Sequence, residues 1–236
     1  MTDFFGYGNL NGKFWAIGME EGGDSNTLMP RVDAWESLGA GTTVDIQAMH
    51  AHLGQSHWFG IFGPAQPTWQ GVIKIVLSAT CTEVDHGNTP QHYQHNKFAR
   101  LDSDTAMLDL MPLPSPSSNE WAYQDLYRTR EQYMAALAPQ RIARLKELVR
   151  EHRPSVVIML SKTYLNDYWR KLCIGLKEEK YISNGLGTFR GKKTRSWFYG
   201  RTKLSTFIVC DHPAAWVSSG YYEAIGEQLR SFTTQA

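Results

Sequence analysis

Along the chain, short runs of consecutive apolar residues alternate with longer stretches in which apolar residues recur every three or four positions. Continuous apolar runs suit strands covered on both faces, and the spaced pattern suits helices with one buried face. Four runs read as buried strands: Lys13–Met19, Ala106–Met111, Ser155–Leu160 and Thr206–Cys210. Between the second and third lies the clearest helix, Arg128–His152. Its Ile142, Leu145, Leu148 and Val149 share one face while arginines and lysines fill the other. Pro154 ends it and a strand follows directly, the helix-then-parallel-strand unit of an α/β fold. Shorter helices are expected over Val32–Leu38, Val44–His52, Trp69–Ser78, Thr163–Leu172 and Tyr221–Phe232. Residues 82–104 are polar and histidine-rich, and read as one long loop.

Length and composition narrow this picture. A chain of 236 residues suits a single domain over residues 1–236 with a sizeable core. A formal charge of +1 leaves room only for a local nucleic-acid footprint. Cys81, Cys173 and Cys210 are scattered, with no disulfide framework and no spacing for zinc or an iron–sulfur cluster. His86, His92 and His95 also lack tight ligand spacing, so neither metal nor cofactor is expected. The N-terminus has no basic stretch followed by an apolar run, and no segment reaches membrane-spanning length. A cytoplasmic monomer without a membrane partner is the expectation.

Candidate chemistry concentrates where strands run into polar turns. Phe14-Trp15-Ala16-Ile17 leads into Gly18-Met19-Glu20-Glu21-Gly22-Gly23, and Phe207-Ile208-Val209-Cys210 leads into Asp211-His212-Pro213. In open α/β sheets ligands bind at the carboxyl ends of parallel strands. A carboxylate from the first turn and a histidine from the last are therefore expected to face one substrate. After the second strand, Pro112-Leu113-Pro114-Ser115-Pro116-Ser117-Ser118 is either a turn forced by three prolines or a stiff phosphate-holding loop. In the second reading Ser115, Ser117 and Ser118 are the donors. Between Gly185 and Lys203, Arg190, Lys192, Lys193, Arg195, Arg201 and Lys203 occur with no acid and with Phe189, Trp197, Phe198 and Tyr199. Phosphate neutralisation and base stacking call for that mixture.

In this order the motifs resemble those of the uracil-DNA glycosylase superfamily, over about residues 13–232. Gly18-Met19-Glu20-Glu21-Gly22 resembles its first motif, a glycine-bounded loop carrying the water-activating acid or amide. Leu108-Asp109-Leu110-Met111-Pro112 resembles the segment whose Asn reads the flipped base, and His212-Pro213-Ala214-Ala215-Trp216 resembles the last motif, normally His-Pro-Ser and a wedge. The resemblance implies a three-layer α/β sandwich, a four-stranded parallel sheet with helices on both faces. It also implies hydrolysis of the N-glycosidic bond of a base flipped out of DNA, since that bond cannot be reached inside the stack.

On that resemblance Glu20 is the base and electrostatic stabiliser, Glu21 the second choice, and His212 the donor to the base oxygen. A solvated carboxylate pair in a turn is the plain alternative. Trp216 takes the place of the wedge, Ser218 and Ser219 are candidate phosphate contacts beyond it, and Ala214 departs from the usual serine. Arg190, Lys192, Lys193 and Arg195 join Ser115 and Ser117 as DNA contacts. Met19, Gly22 and Asp109 are assigned to base binding. Asp109 in place of Asn offers acceptors suited to the exocyclic amine of cytosine, and if protonated it also donates to the ring nitrogen. Gly22, where strict uracil enzymes carry a tyrosine, leaves room at carbon 5. Together these imply a cytosine with a bulky carbon-5 group, such as the glucosylated hydroxymethylcytosine of phage DNA, and a role in antiviral defence. A repair enzyme for uracil or damaged bases and a catalytically silent DNA-binding module are the alternatives. Trp35, Trp58 and Phe59 are candidates for stacking on the flipped base.

Overall fold

A computed structural model describes residues 2–60, 62–80, 89–117, 119–173, 175–182, 194–215 and 217–233. In chain order the elements are β1 (Gly6–Gly8), β2 (Phe14–Gly18), α1 (Leu28–Ser37), β3 (Thr43–Val44), α2 (Ile46–His52), α3 (Pro67–Ala79), α4 (Pro90–Asn96) and β4 (Thr105–Asp109). There follow α5 (Arg130–His152), β5 (Val156–Leu160), α6 (Arg170–Leu172), β6 (Lys177–Ile182), β7 (Thr194–Arg201), β8 (Thr206–Cys210) and α7 (Ser219–Thr233). The chain divides into two compact units, Met1–Ser56 with Ala99–Ser155, and His57–Phe98 with Val156–Ala236.

In the first unit the strands lie in the order β3-β1-β4-β2. β2 runs parallel to β4, with Gly18 opposite Asp109, while β1 is antiparallel to β4 and parallel to β3. Every residue of β2 and β4 is buried, as their apolar runs require. Helix α5 starts on Thr129, whose side chain accepts from the Gln132 amide. It ends on Arg153 in the left-handed conformation, followed by Pro154.

In the second unit the order is β5-β8-β7-β6, with β5 and β8 parallel and β7 antiparallel to both of its neighbours. Helices α3 and α7 pack closely: a Cβ on Gly226 would lie 2.5 Å from the Ile75 carbonyl oxygen. Among the described residues no helix is long and apolar enough to cross a membrane.

The fold is α/β, and the four expected strands are present as the parallel pairs β2–β4 and β5–β8. The expected all-parallel, four-stranded sheet is not observed. Four further strands make the pairing mixed: β1, β3, β6 and β7. Their sequences hide them, because β1 and β3 are two or three residues long and β6 and β7 mix charged with apolar residues. An antiparallel strand open to water on one face need not carry a continuous apolar run. The expected helix over Thr163–Leu172 is present, wound successively as a 3₁₀ turn (Lys162–Tyr164), a π-helical turn (Leu165–Trp169) and the single α-turn α6. The expected loop 82–104 contains α4, whose polar helix starts on the Thr89 cap with proline in its first turn. Residues 81–88 lie outside the described residues.

Candidate functional site

The loop after β2 is tied to the loop after β4 by an extension of the strand ladder. Leu110 donates to the Gly18 carbonyl (3.0 Å), Met111 to Met19 (2.7 Å) and Ser115 to Glu21 (2.9 Å). A Cβ on Gly18 would lie 2.7 Å from Asp109 Oδ1, so glycine lets the carboxylate lie across the strand end. At Gly23 a Cβ would meet Thr27 Oγ1 at 2.9 Å, whereas at Gly22 there is nothing within 4 Å. Gly22 is exposed, and a methyl there would meet no packing. Met19 is buried.

The two glutamates of this loop differ sharply. Glu20 pairs through Oε1 with Arg130 Nη2 at the start of α5, and its side chain is 8% exposed. Its other oxygen, Oε2, is buried and has no hydrogen-bond partner among the described residues. Burial raises the Glu20 pKa against the opposing pull of Arg130. Glu21 instead makes a two-pronged pair with Arg31, Nε to Oε2 at 3.0 Å and Nη2 to Oε1 at 3.1 Å. Arg31, 4% exposed in its side chain, also donates to the Gly22 carbonyl at 3.1 Å. Both oxygens of Glu21 are thus committed to holding the loop, and it is a structural residue instead of a second candidate base.

Asp109 is buried, and its pKa is pushed well up, first by burial and then by the nearby Glu21 and Glu20 carboxylates. Arg141 from α5 opposes this. That guanidinium donates to the carbonyls of Thr2, Phe4, Asp109 and Leu110 and lies 3.8 Å from the centroid of the Phe5 ring. Burial pulls it down to about 10. Three carboxylates thus share this strand end with three guanidiniums, Arg31, Arg130 and Arg141, none of which stands in a motif. The one signal was spacing: Arg141 falls on the stripe Met134, Ala138, Leu145 and Leu148, all buried.

The proline-rich loop reads as a turn. Ser115 is buried and donates to the Ser117 carbonyl at 2.7 Å, and Ser117 donates to Glu120 Oε1 at 3.2 Å. Both hydroxyl protons are used inside the loop, so neither serine presents a donor to phosphate as expected. Ser118 lies outside the described residues.

In the second unit β8 delivers Asp211 and His212. Asp211 is held by Lys162 Nζ at 3.0 Å and Arg195 Nη1 at 2.9 Å. Arg195 is therefore an ion-pair partner of Asp211, not an unengaged cation for DNA. His212 Nδ1 accepts from the Ala214 amide at 3.2 Å, which leaves the proton of the neutral ring on Nε2. Burial lowers the His212 pKa and favours that neutral form. The loop is pressed onto α3, where a Cβ on Gly71 would lie 2.5 Å from Pro213 Cβ. Ser218 is exposed immediately before α7. Trp216, Arg190, Lys192 and Lys193 lie outside the described residues. Of the proposed stacking aromatics, Phe59 is buried against Trp69, Trp58 also meets Trp69, and Trp35 donates to the Gly41 carbonyl at 2.8 Å.

The loop after β2 thus carries a carboxylate fixed through one oxygen, and the loop after β8 a histidine favoured in its neutral form. Glu20 has an unengaged basic oxygen in a dry setting, and His212 is a neutral N–H donor. Compared with known proteins, the chain matches no protein-family model and no curated protein.

Proposed function

We propose that the chain is a monofunctional DNA glycosylase, acting as a monomer on a flipped cytosine that carries a bulky carbon-5 group. Glucosylated hydroxymethylcytosine of phage DNA is the favoured substrate, and defence the favoured role. The observation that carries this reading is the state of Glu20: one oxygen fixed by Arg130, the other buried and without a partner among the described residues. A buried acceptor without a donor is costly, and a water or substrate hydroxyl is the simplest group to complete it.

In the proposed reaction a water held by Glu20 Oε2 attacks the sugar carbon and gives its proton to that oxygen. The carbon–nitrogen bond breaks and its electron pair leaves with the base. The His212 Nε2 proton is hydrogen-bonded to the base oxygen where that charge collects, and Glu20 opposes the positive charge growing on the sugar. The raised pKa of Glu20 makes it a stronger base than an ordinary carboxylate. Asp109, pushed toward its protonated form, suits the cytosine edge: its OH donates to the ring nitrogen and its other oxygen accepts from the amine. The open space at Gly22 suits a carbon-5 substituent. The test is abasic-site formation in DNA containing glucosylated hydroxymethylcytosine, with uracil-containing and unmodified DNA alongside.

A further inference from the structure

Tyr7, the middle residue of β1, is 3% exposed, and its hydroxyl oxygen is buried with no hydrogen-bond partner among the described residues. The ring itself is well held. Phe4 meets it edge-on at 5.7 Å between centroids, and the His50 ring of α2 lies against it at the same distance. Phenylalanine would keep both contacts. The hydroxyl adds only the cost of a buried polar group, unless its partner comes from outside the chain.

The strand register brings this side chain to the candidate site. In the antiparallel pair of β1 with β4, Tyr7 stands opposite Met107, so the two share one face of the sheet. Side chains alternate along a strand, and Asp109, two residues beyond Met107, therefore lies on that face too. The Asp109 amide continues the pairing by donating to the Phe5 carbonyl at 2.7 Å. Glu21, Arg31 and Asp109 all act on the Tyr7 hydroxyl electrostatically. Burial first, and then the Glu21 carboxylate, keep it in the protonated form against the pull of Arg31.

Glu21 does not complete the hydroxyl. Both of its oxygens are aligned on Arg31, at 3.0 and 3.1 Å, and its approach to the tyrosine falls short of a hydrogen bond. Its field still orients the group. An ionised carboxylate accepts and never donates, so the hydroxyl proton turns toward Glu21 and a lone pair is left for an incoming donor. The Glu21–Arg31 pair thus makes Tyr7 an acceptor with no donor of its own.

We propose that Tyr7 is a further base-binding residue, whose hydroxyl oxygen accepts a hydrogen from the exocyclic amine of the flipped cytosine. The inference rests on the reading of the chain as a cytosine glycosylase, and it places a base contact on a strand that none of the three motifs supplies. Asp109 takes the ring nitrogen and one amine hydrogen, and Tyr7 takes the other. Uracil carries a carbonyl oxygen in place of the amine. It sets lone pair against lone pair at Tyr7 and is disfavoured there.

The test is equilibrium binding of the full chain and its Tyr7→Phe variant to duplexes of identical sequence with glucosylated hydroxymethylcytosine or uracil at one position. In the binding duplexes that nucleotide carries a 2′-fluoro group, which opposes positive charge on the sugar and so slows cleavage. Tyr7→Phe is expected to bind the modified-cytosine duplex about ten-fold more weakly, the scale of one lost neutral hydrogen bond. Its binding to the uracil duplex is expected to be unchanged or tighter. The melting temperature of Tyr7→Phe is expected to equal or exceed that of the parent, because the change removes a buried hydroxyl that has no partner in the fold. A purely structural hydroxyl gives the opposite result, a lower melting temperature with equal losses on both duplexes.

An unchanged preference between the two duplexes in Tyr7→Phe, or a parent that binds both alike or neither, overturns the inference. Abasic-site formation in the same duplexes without the fluoro group separates it from the reading on which it rests. A preference for modified cytosine that Tyr7→Phe loses, with no abasic sites in either duplex, retains Tyr7 as a base-binding residue and removes the glycosylase. Abasic sites in the modified duplex, with Tyr7→Phe as active and as selective as the parent, do the reverse.

Discussion

Arg130 grips one oxygen of Glu20 and leaves the other buried with no partner among the described residues. The two effects on that carboxylate oppose each other, since burial disfavours its charge and the guanidinium favours it. Burial is the larger, so Glu20 is a stronger base than a solvated glutamate while its orientation is fixed. Arg130→Met is expected to raise the Glu20 pKa further. The acid limb of the pH–rate profile should then move to higher pH and the rate at neutral pH fall by about 100-fold, the scale of a misplaced catalytic group. Arg130→Lys should restore part of the rate and move the limb back. A uniform loss of rate with an unmoved pH profile would reduce Arg130 to a packing residue. The groups that bear on this titration are Arg130, Asp109, Tyr123 and Tyr133, all coupled to Glu20 electrostatically.

Glu21 should behave unlike its neighbour. Breaking a buried pair by removing one partner typically costs about 3–5 kcal/mol, and a half-open pair less. Glu21→Ala is expected to lower stability in urea by about 2–3 kcal/mol. The double change Glu21→Ala with Arg31→Met should recover part of that. Glu20→Gln, by contrast, is expected to remove activity with a smaller change in stability.

Asp109 gives a pH signature. Its folded-state pKa lies well above the unfolded value, so the protonated form is favoured by folding. The stabilisation is fully present below the unfolded pKa and is lost as pH rises through the folded pKa. Asp109→Asn, neutral at every pH, is expected to be more stable than the parent at pH 8 by on the order of 1 kcal/mol, with the gap closing toward pH 4. Urea unfolding at the two pH values measures this. In activity, the same substitution is expected to shift preference from modified cytosine toward uracil.

Two glycine substitutions separate space from contact. Gly22→Ala places a methyl in open space and should leave the melting temperature unchanged, while Gly22→Tyr is expected to block bases with bulky carbon-5 groups. Gly71→Ala, on a helix outside all three motifs, drives a methyl into Pro213 and should disturb His212. The expected result is a rate loss of about ten-fold or more together with a lower melting temperature, since overpacking typically costs about 1–3 kcal/mol.

The strand ends were legible because a run such as Phe14–Gly18 or Val156–Leu160, buried along its whole length, has to be continuously apolar. The same logic hid β6 and β7, whose charged residues mask their pairing, and α4, whose polar helix has no apolar stripe. At the site, the acids and His212 were legible from their place after strands. Their partners were not, because an arginine in a helix has the same letter whether it faces water, as Arg144 does, or lies buried on carbonyls, as Arg141 does. Glu20 and Glu21 are adjacent and chemically alike. Only the positions of Arg130 and Arg31 decide which of them keeps an oxygen open.

The central claim is tested most directly by alkali-sensitive strand cleavage, measured for the parent, Glu20→Gln and His212→Ala proteins. The three DNAs are identical in sequence and carry glucosylated hydroxymethylcytosine, uracil or neither. Cleavage by the parent in the glucosylated DNA alone is expected, with a loss of at least about 100-fold in His212→Ala, the scale of one lost donor to a developing anion. Glu20→Gln should be silent. Absence of cleavage by the parent on all three DNAs, or cleavage unaffected by Glu20→Gln, would contradict it.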